Sequence, residues 1–233
     1  MWSLLVFQQF SFFGLLFVCT AIDLILFWCS NGARERSSCP KFKQMFYRTL
    51  QNNFLLSVPL GLMAMYWLYD PPAQVTTDWT DSLNATMCLR LIAALVLEDA
   101  LFYYVHRLLH HSWLYKKCHY FHHQVIEPIA MSALYTHPLE HLLLNVSPAL
   151  IVPWLVRLTG QWLYLWFFLV NWGSVSSHCG FVQYLPGVQF HDDHHLYRTR
   201  NFGVLGLFDW LHGTASKGSG SGFVFLNDDQ KLH

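Results

Sequence analysis

Charge is the scarce quantity in this chain. Only 12% of its 233 residues are Asp, Glu, Lys or Arg, against 54% hydrophobic and 17% aromatic. An ordinary soluble domain carries about 25% charge, so the composition excludes that class and points to a membrane protein. Fourteen Lys and Arg balance fourteen Asp and Glu, and without net positive charge there is no case for a nucleic-acid partner. Paired cysteines are missing as well. Cys19, Cys29, Cys39, Cys88, Cys118 and Cys179 form no C-x-x-C spacing, so neither a disulfide framework nor a zinc finger is supported. Free thiols fit the membrane interior or a reducing cytosol. No glycine-rich phosphate loop, Ser/His/Asp arrangement or flavin, nicotinamide or haem domain is legible. Electrons for any redox chemistry must therefore come from elsewhere.

What the chain has in excess is histidine. Twelve of its fourteen histidines fall between His106 and His195. They stand in the strings His106-Arg-Leu-Leu-His110-His111, His119-Tyr-Phe-His122-His123, His137-Pro-Leu-Glu140-His141, a single His178, and His191-Asp-Asp-His194-His195. Residues three and four apart share a helix face, so His119, His122 and His123 are expected to converge on one point, as are His191, His194 and His195. His106 and His110 have the same relation, while His111 points roughly 140° away from His106 on a straight helix. Neutral imidazole suits iron, zinc, copper and nickel. More such ligands are present than one ion accepts, so two metal ions are expected. His212 and His233 stand apart and read as structural, and His141 is open between the two roles. Asp99, seven residues before His106 and nearly on its face, is a candidate for orienting a ligand imidazole. A polar contact between helices is the competing reading.

The apolar runs set this cluster on a membrane scaffold. Residues 2–28 carry only Asp23 as a charge and exceed the about 20 residues that cross a hydrocarbon core. With no basic start or small-residue cleavage site they read as a retained first span rather than a signal peptide. Five basic residues follow, Arg34, Arg36, Lys41, Lys43 and Arg48; a second apolar run covers Phe54 to Tyr69; and the loop from Asp70 to Asn84 has three aspartates and no Lys or Arg. The positive-inside rule makes the first loop cytosolic and the second lumenal. Asn84-Ala-Thr86 is then a lumenal glycosylation acceptor, whereas Asn145-Val-Ser147 lies in an apolar run and is a chance match.

A third span from Met87 delivers His106 to the cytosolic side. The runs Leu142 to Trp154, interrupted by Pro148 and Pro153, and Trp162 to Val175 form a hairpin that either crosses twice or dips in and returns. Its ends bring His137 and His178 back to the face of the boxes. The expected fold is an all-α membrane protein of about four transmembrane helices, the last two a short hairpin, capped by a cytosolic helical histidine-box metal domain. Residues 1–105 hold the first three spans and the basic loop. Residues 106–214 hold the histidine-box catalytic region, including the hairpin 142–177, and 215–233 form a flexible tail.

The order H-x-x-x-H-H, H-x-x-H-H, H-x-x-H-H on a multi-span chain resembles the fatty acid hydroxylase and sterol desaturase superfamily of membrane di-iron oxygenases. The likeness covers roughly residues 90 to 214. Glu98-Asp99, Ala133-Leu-Tyr-Thr-His137-Pro-Leu-Glu140, Ser177-His178-Cys-Gly180, Phe190-His191-Asp-Asp-His194-His195 and Leu211-His-Gly213-Thr look like the sterol C4-methyl oxidase branch and the animal fatty acid hydroxylase domain-containing proteins. The resemblance implies that His106, His110 or His111, His119, His122, His123, His191, His194 and His195 are metal ligands. It makes His137 and His178 candidates outside the boxes, with Asp99 and Glu140 in support. Fatty acid 2-hydroxylases have a further histidine four residues after the position of His178. This chain has Val182 there, which argues against that branch and offers His137 as the missing ligand.

The implied activity is hydroxylation of an unactivated C–H bond of a lipid, foremost a sterol C4-methyl group. The implied cofactors are two ferrous ions, with zinc an alternative occupant, and O2. Electrons would come from cytochrome b5 and its NAD(P)H-dependent reductase, and the implied location is the endoplasmic reticulum membrane with the metal site facing the cytosol. A fatty acyl or sphingolipid hydroxylase is the rival enzyme. The rival of another class is a non-enzymatic membrane metal-binding protein or carrier, but carriers place ligands at mid-membrane, whereas these boxes follow the ends of spans.

Overall fold

The computed structural model describes residues 42–68, 85–126, 128–179 and 187–216. The expected first span with Asp23, the basic residues Arg34 to Lys41, the loop 70–84, Val182, His233 and nearly all of the tail lie outside them.

The described residues are helical throughout, without a strand. Helix α1 (Phe42–Asn52) runs through a π-turn (Asn53–Ser57) into α2 (Val58–Trp67). Pro59 is tolerated at the second position of α2 because its ring replaces an N–H at a helix start, where the loss is least. Helix α3 (Ala85–Leu109) is the longest, at 25 residues, and ends in the first histidine string. After α4 (Ser112–Lys117) come two 3-10 turns, His119–Gln124 and Ala130–Leu134. One helical turn, α5 (Pro138–Glu140), leads through a second π-turn (His141–Val146) into α6 (Ser147–Leu155). Helix α7 (Gln161–Ser176) follows, then α8 (Val188–Tyr197) with the last box, and α9 (Leu207–His212).

Two apolar clusters hold this together. In the first, Ala94 of α3 meets Leu150 and Val152 of α6 and Leu163, Trp166 and Phe167 of α7. Each large side chain fully buried there contributes about 1.5–3 kcal/mol, and the Trp166 indole N–H donates to the Ala149 carbonyl at 3.0 Å. The expected hairpin is present as α6 and α7. Pro153 weakens α6, Arg157 and Gly160 take positive φ of 56° and 55°, and Arg90 caps the turn by donating to the Arg157 carbonyl at 2.9 Å. The second cluster, Met45, Ile129, Met131, Leu134, Tyr135, Val175 and Val188, lies beneath the second and last boxes. Asn52 fastens α1 to it, donating to the carbonyls of Leu134 (3.0 Å) and Thr136 (3.1 Å).

No described helix is long and apolar enough to cross a membrane. The physical reason is visible in α3, which has the length but carries Glu98 and Asp99 mid-helix with Arg90 and Arg107 towards its ends. The arms of the hairpin are short, 9 and 16 residues.

Candidate metal centre

Nine histidines meet inside the fold, in two groups. His106, His110, His119, His123 and His194 form one, and His122, His178, His191 and His195 the other; within each group one potential ligand atom per residue lies within 4.8 Å of all the others. Eight of the nine are buried, His194 and His195 completely. The expectation that each H-x-x-H-H string converges on one point is corrected here. Its i and i+4 histidines serve one group and the middle histidine turns to the other: His119 and His123 join the first while His122 joins the second, and His191 and His195 join the second while His194 joins the first. A helix places i+3 and i+4 on either side of residue i, so a box wedged between two centres feeds both. The two groups are thereby stitched together by adjacent residues of one backbone.

The outer nitrogens fix the inner ones. The Nδ1 of His106 lies 2.7 Å from the Phe202 carbonyl, that of His194 2.6 Å from Arg200 O, that of His195 2.9 Å from Val125 O and that of His178 2.8 Å from Ser174 O. His119 Nδ1 is 2.8 Å from Glu140 Oε1. Carbonyls only accept, so the imidazoles of His106, His194, His195 and His178 donate from Nδ1 and, being neutral, present a bare lone pair at Nε2. The Nε2 atoms nevertheless approach one another closely: His106 to His119 at 3.0 Å, His195 to His191 at 3.1 Å, His191 to His178 at 3.0 Å and His110 to His119 at 2.9 Å. His191 Nε2 faces the bare Nε2 atoms of both His195 and His178 and carries at most one proton, so at least one of these two contacts has no hydrogen bond to hold it. Two lone pairs held head to head repel unless a cation lies between them, and a metal–imidazole distance of about 2.0–2.1 Å sets neighbouring ligand nitrogens about 3 Å apart. The donor set therefore fits a metal ion in each group.

Electrostatics agree with that reading. Burial pushes the imidazoles of His119, His122, His191, His194 and His195 well below their usual range, and their histidine neighbours push them further. Burial likewise lowers His178 to about 4. All six are held neutral at physiological pH, the form in which imidazole can bind a metal. Burial pushes the Glu140 carboxyl up, and one proton is shared between it and His119 Nδ1.

The remaining expected residues fall elsewhere. His111 is exposed at the N-terminus of α4, outside both groups; His110 is the one that turns inward. His137 is also outside, its Nδ1 accepting the Leu139 N–H at 3.2 Å to cap α5, so it does not supply the ligand expected to be missing at Val182. Glu140 contacts a cluster histidine directly, whereas Asp99 acts at one remove. Its carboxylate accepts the N–H groups of Val204, Leu205 and Phe208 at 2.8, 2.7 and 3.2 Å, holding the loop whose Phe202 carbonyl orients His106. Asp209 completes the clamp by accepting from Phe202 and Gly203. His141 joins neither group and pairs with Ser57. Sequence reasoning missed Asp209, Ser57 and every orienting carbonyl, since no side-chain pattern announces a backbone acceptor. Asp209 did carry a signal, a lone carboxylate in an otherwise apolar stretch.

A cavity of about 430 Å³ opens on both groups. His106, His119, His122, His178 and His191 form one part of its wall, and Leu95, Phe102, Leu144 and Leu150 contribute apolar surface. That volume lies in the range of small-molecule sites.

Two adjoining, buried, all-imidazole groups opening on a largely apolar cavity define a helical protein with the donors for paired metal ions. The profile of the fatty acid hydroxylase family matches residues 91–214, more than half of the chain, and the chain belongs to that family. It is 36% identical over 189 residues to fatty acid hydroxylase domain-containing protein 2 of Macaca fascicularis, covering 78% of this chain and 55% of that protein. It is 39% identical over 124 residues to fatty acid hydroxylase ahd1 of Mycosarcoma maydis, covering 53% of this chain and 32% of the other. With methylsterol monooxygenase 2-2 of Arabidopsis thaliana it shares 38% identity over 136 residues, covering 51% and 49%. The chain thus spans at most about half the length of the curated relatives it matches. No solved structure matches it.

Proposed function

We propose that this chain carries the catalytic core of a membrane di-iron monooxygenase that hydroxylates an unactivated C–H bond of a lipid, foremost a sterol C4-methyl group. The observation that carries this reading is the head-to-head approach of neutral imidazole nitrogens, plainest around His191, in two groups that share one cavity. His106, His110, His119, His123 and His194 would hold one iron, and His122, His178, His191 and His195 the other. When bound, the iron pair supplies the reduction of O2, one oxygen atom entering the C–H bond and the other leaving as water at the expense of two electrons and two protons. The chain's own groups do the rest. Glu140 and the carbonyls of Phe202, Arg200, Val125 and Ser174 hold the imidazoles in one tautomer and orientation. The apolar wall excludes water and holds the lipid against the histidines. Electrons enter from cytochrome b5 and its NAD(P)H-dependent reductase.

The apolar exterior supports a membrane setting. Leu55, Trp67 and Leu89 are 70%, 75% and 67% exposed, and Ile151, Leu155, Leu165 and Phe168 also face outward. Apolar surface spread over several helices is what lipid covers. In this reading the helical rod 42–67, α3 and the hairpin lie in the endoplasmic reticulum membrane, with the histidines beneath the cytosolic leaflet.

Microsomes containing the protein, given a 4-methylsterol, NADPH and O2, are expected to form the C4-hydroxymethyl product. The likeness to the fungal fatty acid hydroxylase favours a second reading, hydroxylation of a fatty acyl chain. Hydroxylated acyl chains with unchanged sterol would establish that one instead. Metal flux into liposomes with no O2 uptake would replace both with a carrier.

A further inference from the structure

The two π-turns, Asn53–Ser57 and His141–Val146, pack against each other at the cavity wall. Such turns are rare and cluster at functional sites. Here each delivers polar side chains to the wall: Asn53 and Ser57 from one, His141 and Asn145 from the other. His141 is 1% exposed, its Nε2 lies 2.8 Å from Ser57 Oγ, and its Nδ1 has no hydrogen-bond partner. Leaving a buried N–H unpaired is costlier than leaving a lone pair unpaired, so the favoured tautomer carries its proton on Nε2 and donates it to Ser57. The Ser57 hydroxyl proton is then free to be donated into the cavity. Asn145 lines the same cavity, and its amide finds no partner among the described residues.

The charges around the cavity restrict what this polar end accepts. Glu98, Asp99 and Glu140 line it, and among the described residues no Lys or Arg does. No described Lys or Arg stands at the π-turn end to pair a free carboxylate, whereas an uncharged hydroxyl needs only a donor and an acceptor. We infer that the paired π-turns are a recognition site for the neutral hydroxyl of a lipid alcohol, with Ser57, positioned by His141, as donor and Asn145 as its second partner. This rests on the proposed lipid oxygenase reading and narrows its substrate to an uncharged alcohol such as a ring-hydroxylated sterol.

Equilibrium dialysis of the full chain, purified in detergent with its metal, tests the site with three probes: a 4-methylsterol, its 3-deoxy analogue and palmitate. The wild type is expected to bind the hydroxylated sterol at least about tenfold more tightly than the deoxy form, because a site built around a hydroxyl penalises its loss, and palmitate most weakly. In Ser57→Ala and in Asn145→Leu the preference should fall below about threefold with affinity for the deoxy probe kept, and Ser57→Thr should restore it. Equal wild-type affinities, variants that keep the tenfold preference, or palmitate binding most tightly would each overturn the inference. A wild type that shows the preference but takes up no O2 upholds the hydroxyl site while removing the oxygenase. Oxidation of both sterols with equal efficiency upholds the oxygenase and removes the site.

Discussion

His122 and His123 are neighbours in the chain and belong to different groups. If each group holds one metal ion, losing either imidazole should empty a different site. His122→Ala is expected to lower bound metal from two ions per chain towards one, His123→Ala to do the same, and the double variant to approach none. Elemental analysis of purified protein checks this, with His111→Ala, which alters an exposed side chain outside both groups, keeping both ions. Glu140 gives a graded version of the same test. An orienting partner of a ligand imidazole is worth about 10–100-fold in metal affinity, so Glu140→Ala should lose that much, and Glu140→Gln, which keeps an acceptor oxygen for His119, distinctly less. At this scale the sequence announced the histidines through their spacing. It could not announce their division, because i+3 and i+4 are equally compatible with one shared focus and with two separate ones.

Between Asn201 and α9 the chain forms a loop whose job is to present one carbonyl. Asp99 and Asp209 accept four of its backbone N–H groups and Asp99 also that of Phe208 in α9, and Phe202 O then points at His106. Gly203 is the residue that lets two carboxylates come so close: a Cβ there would stand 2.7 Å from Asp99 Oδ1 and 2.9 Å from Asp209 Oδ2. Those oxygens are tied to the backbone and cannot yield cheaply. Gly203→Ala should therefore cost about 1–3 kcal/mol, as overpacking does, and displace Phe202 from His106. The expected signature is a lower unfolding midpoint with metal lost from the His106 group first, while the His178 group keeps its ion; equal loss from both would show that the loop does not act through His106. Helices α3, α6 and α7 were legible as apolar runs, because Pro153 and the polar turn at 157–160 mark the hairpin. The π-turns were not legible, since one extra residue in a helical turn leaves the apolar pattern almost unchanged and is stabilised by packing between segments about 84 residues apart, as the Ser57–His141 contact shows. Nor did hydropathy reveal that α3 carries Asp99 as a clamp, for the partners lie more than 100 residues away.

For the whole molecule, the consequence of concentrating so many imidazoles in an interior is a stability that depends on pH in one direction. Burial lowers the folded pKa of His119, His122, His178, His191, His194 and His195, while in the unfolded chain each titrates near 6.5. Above about pH 7 both states hold these rings neutral and pH has no leverage. As pH falls through about 6.5 the unfolded chain takes up protons that the folded chain refuses, so stability declines, by up to about 1.4 kcal/mol per pH unit for each ring, until the folded values are reached. Six such rings would exhaust an ordinary folding stability of about 5–15 kcal/mol within one to two units. Bound metal raises the whole curve, because it binds only the folded arrangement, and leaves the slope over this interval unchanged, because the rings it would bind are already neutral in the fold. Thermal unfolding in detergent between pH 8 and pH 5 should show a plateau down to about 7 and a steep fall below it. Chelation should lower the plateau yet leave the fall in place, since the buried rings resist protonation with or without the ion. A midpoint that is flat across this interval in the chelated protein would mean that these histidines are solvated in the fold, and the packed double cluster would have to be abandoned.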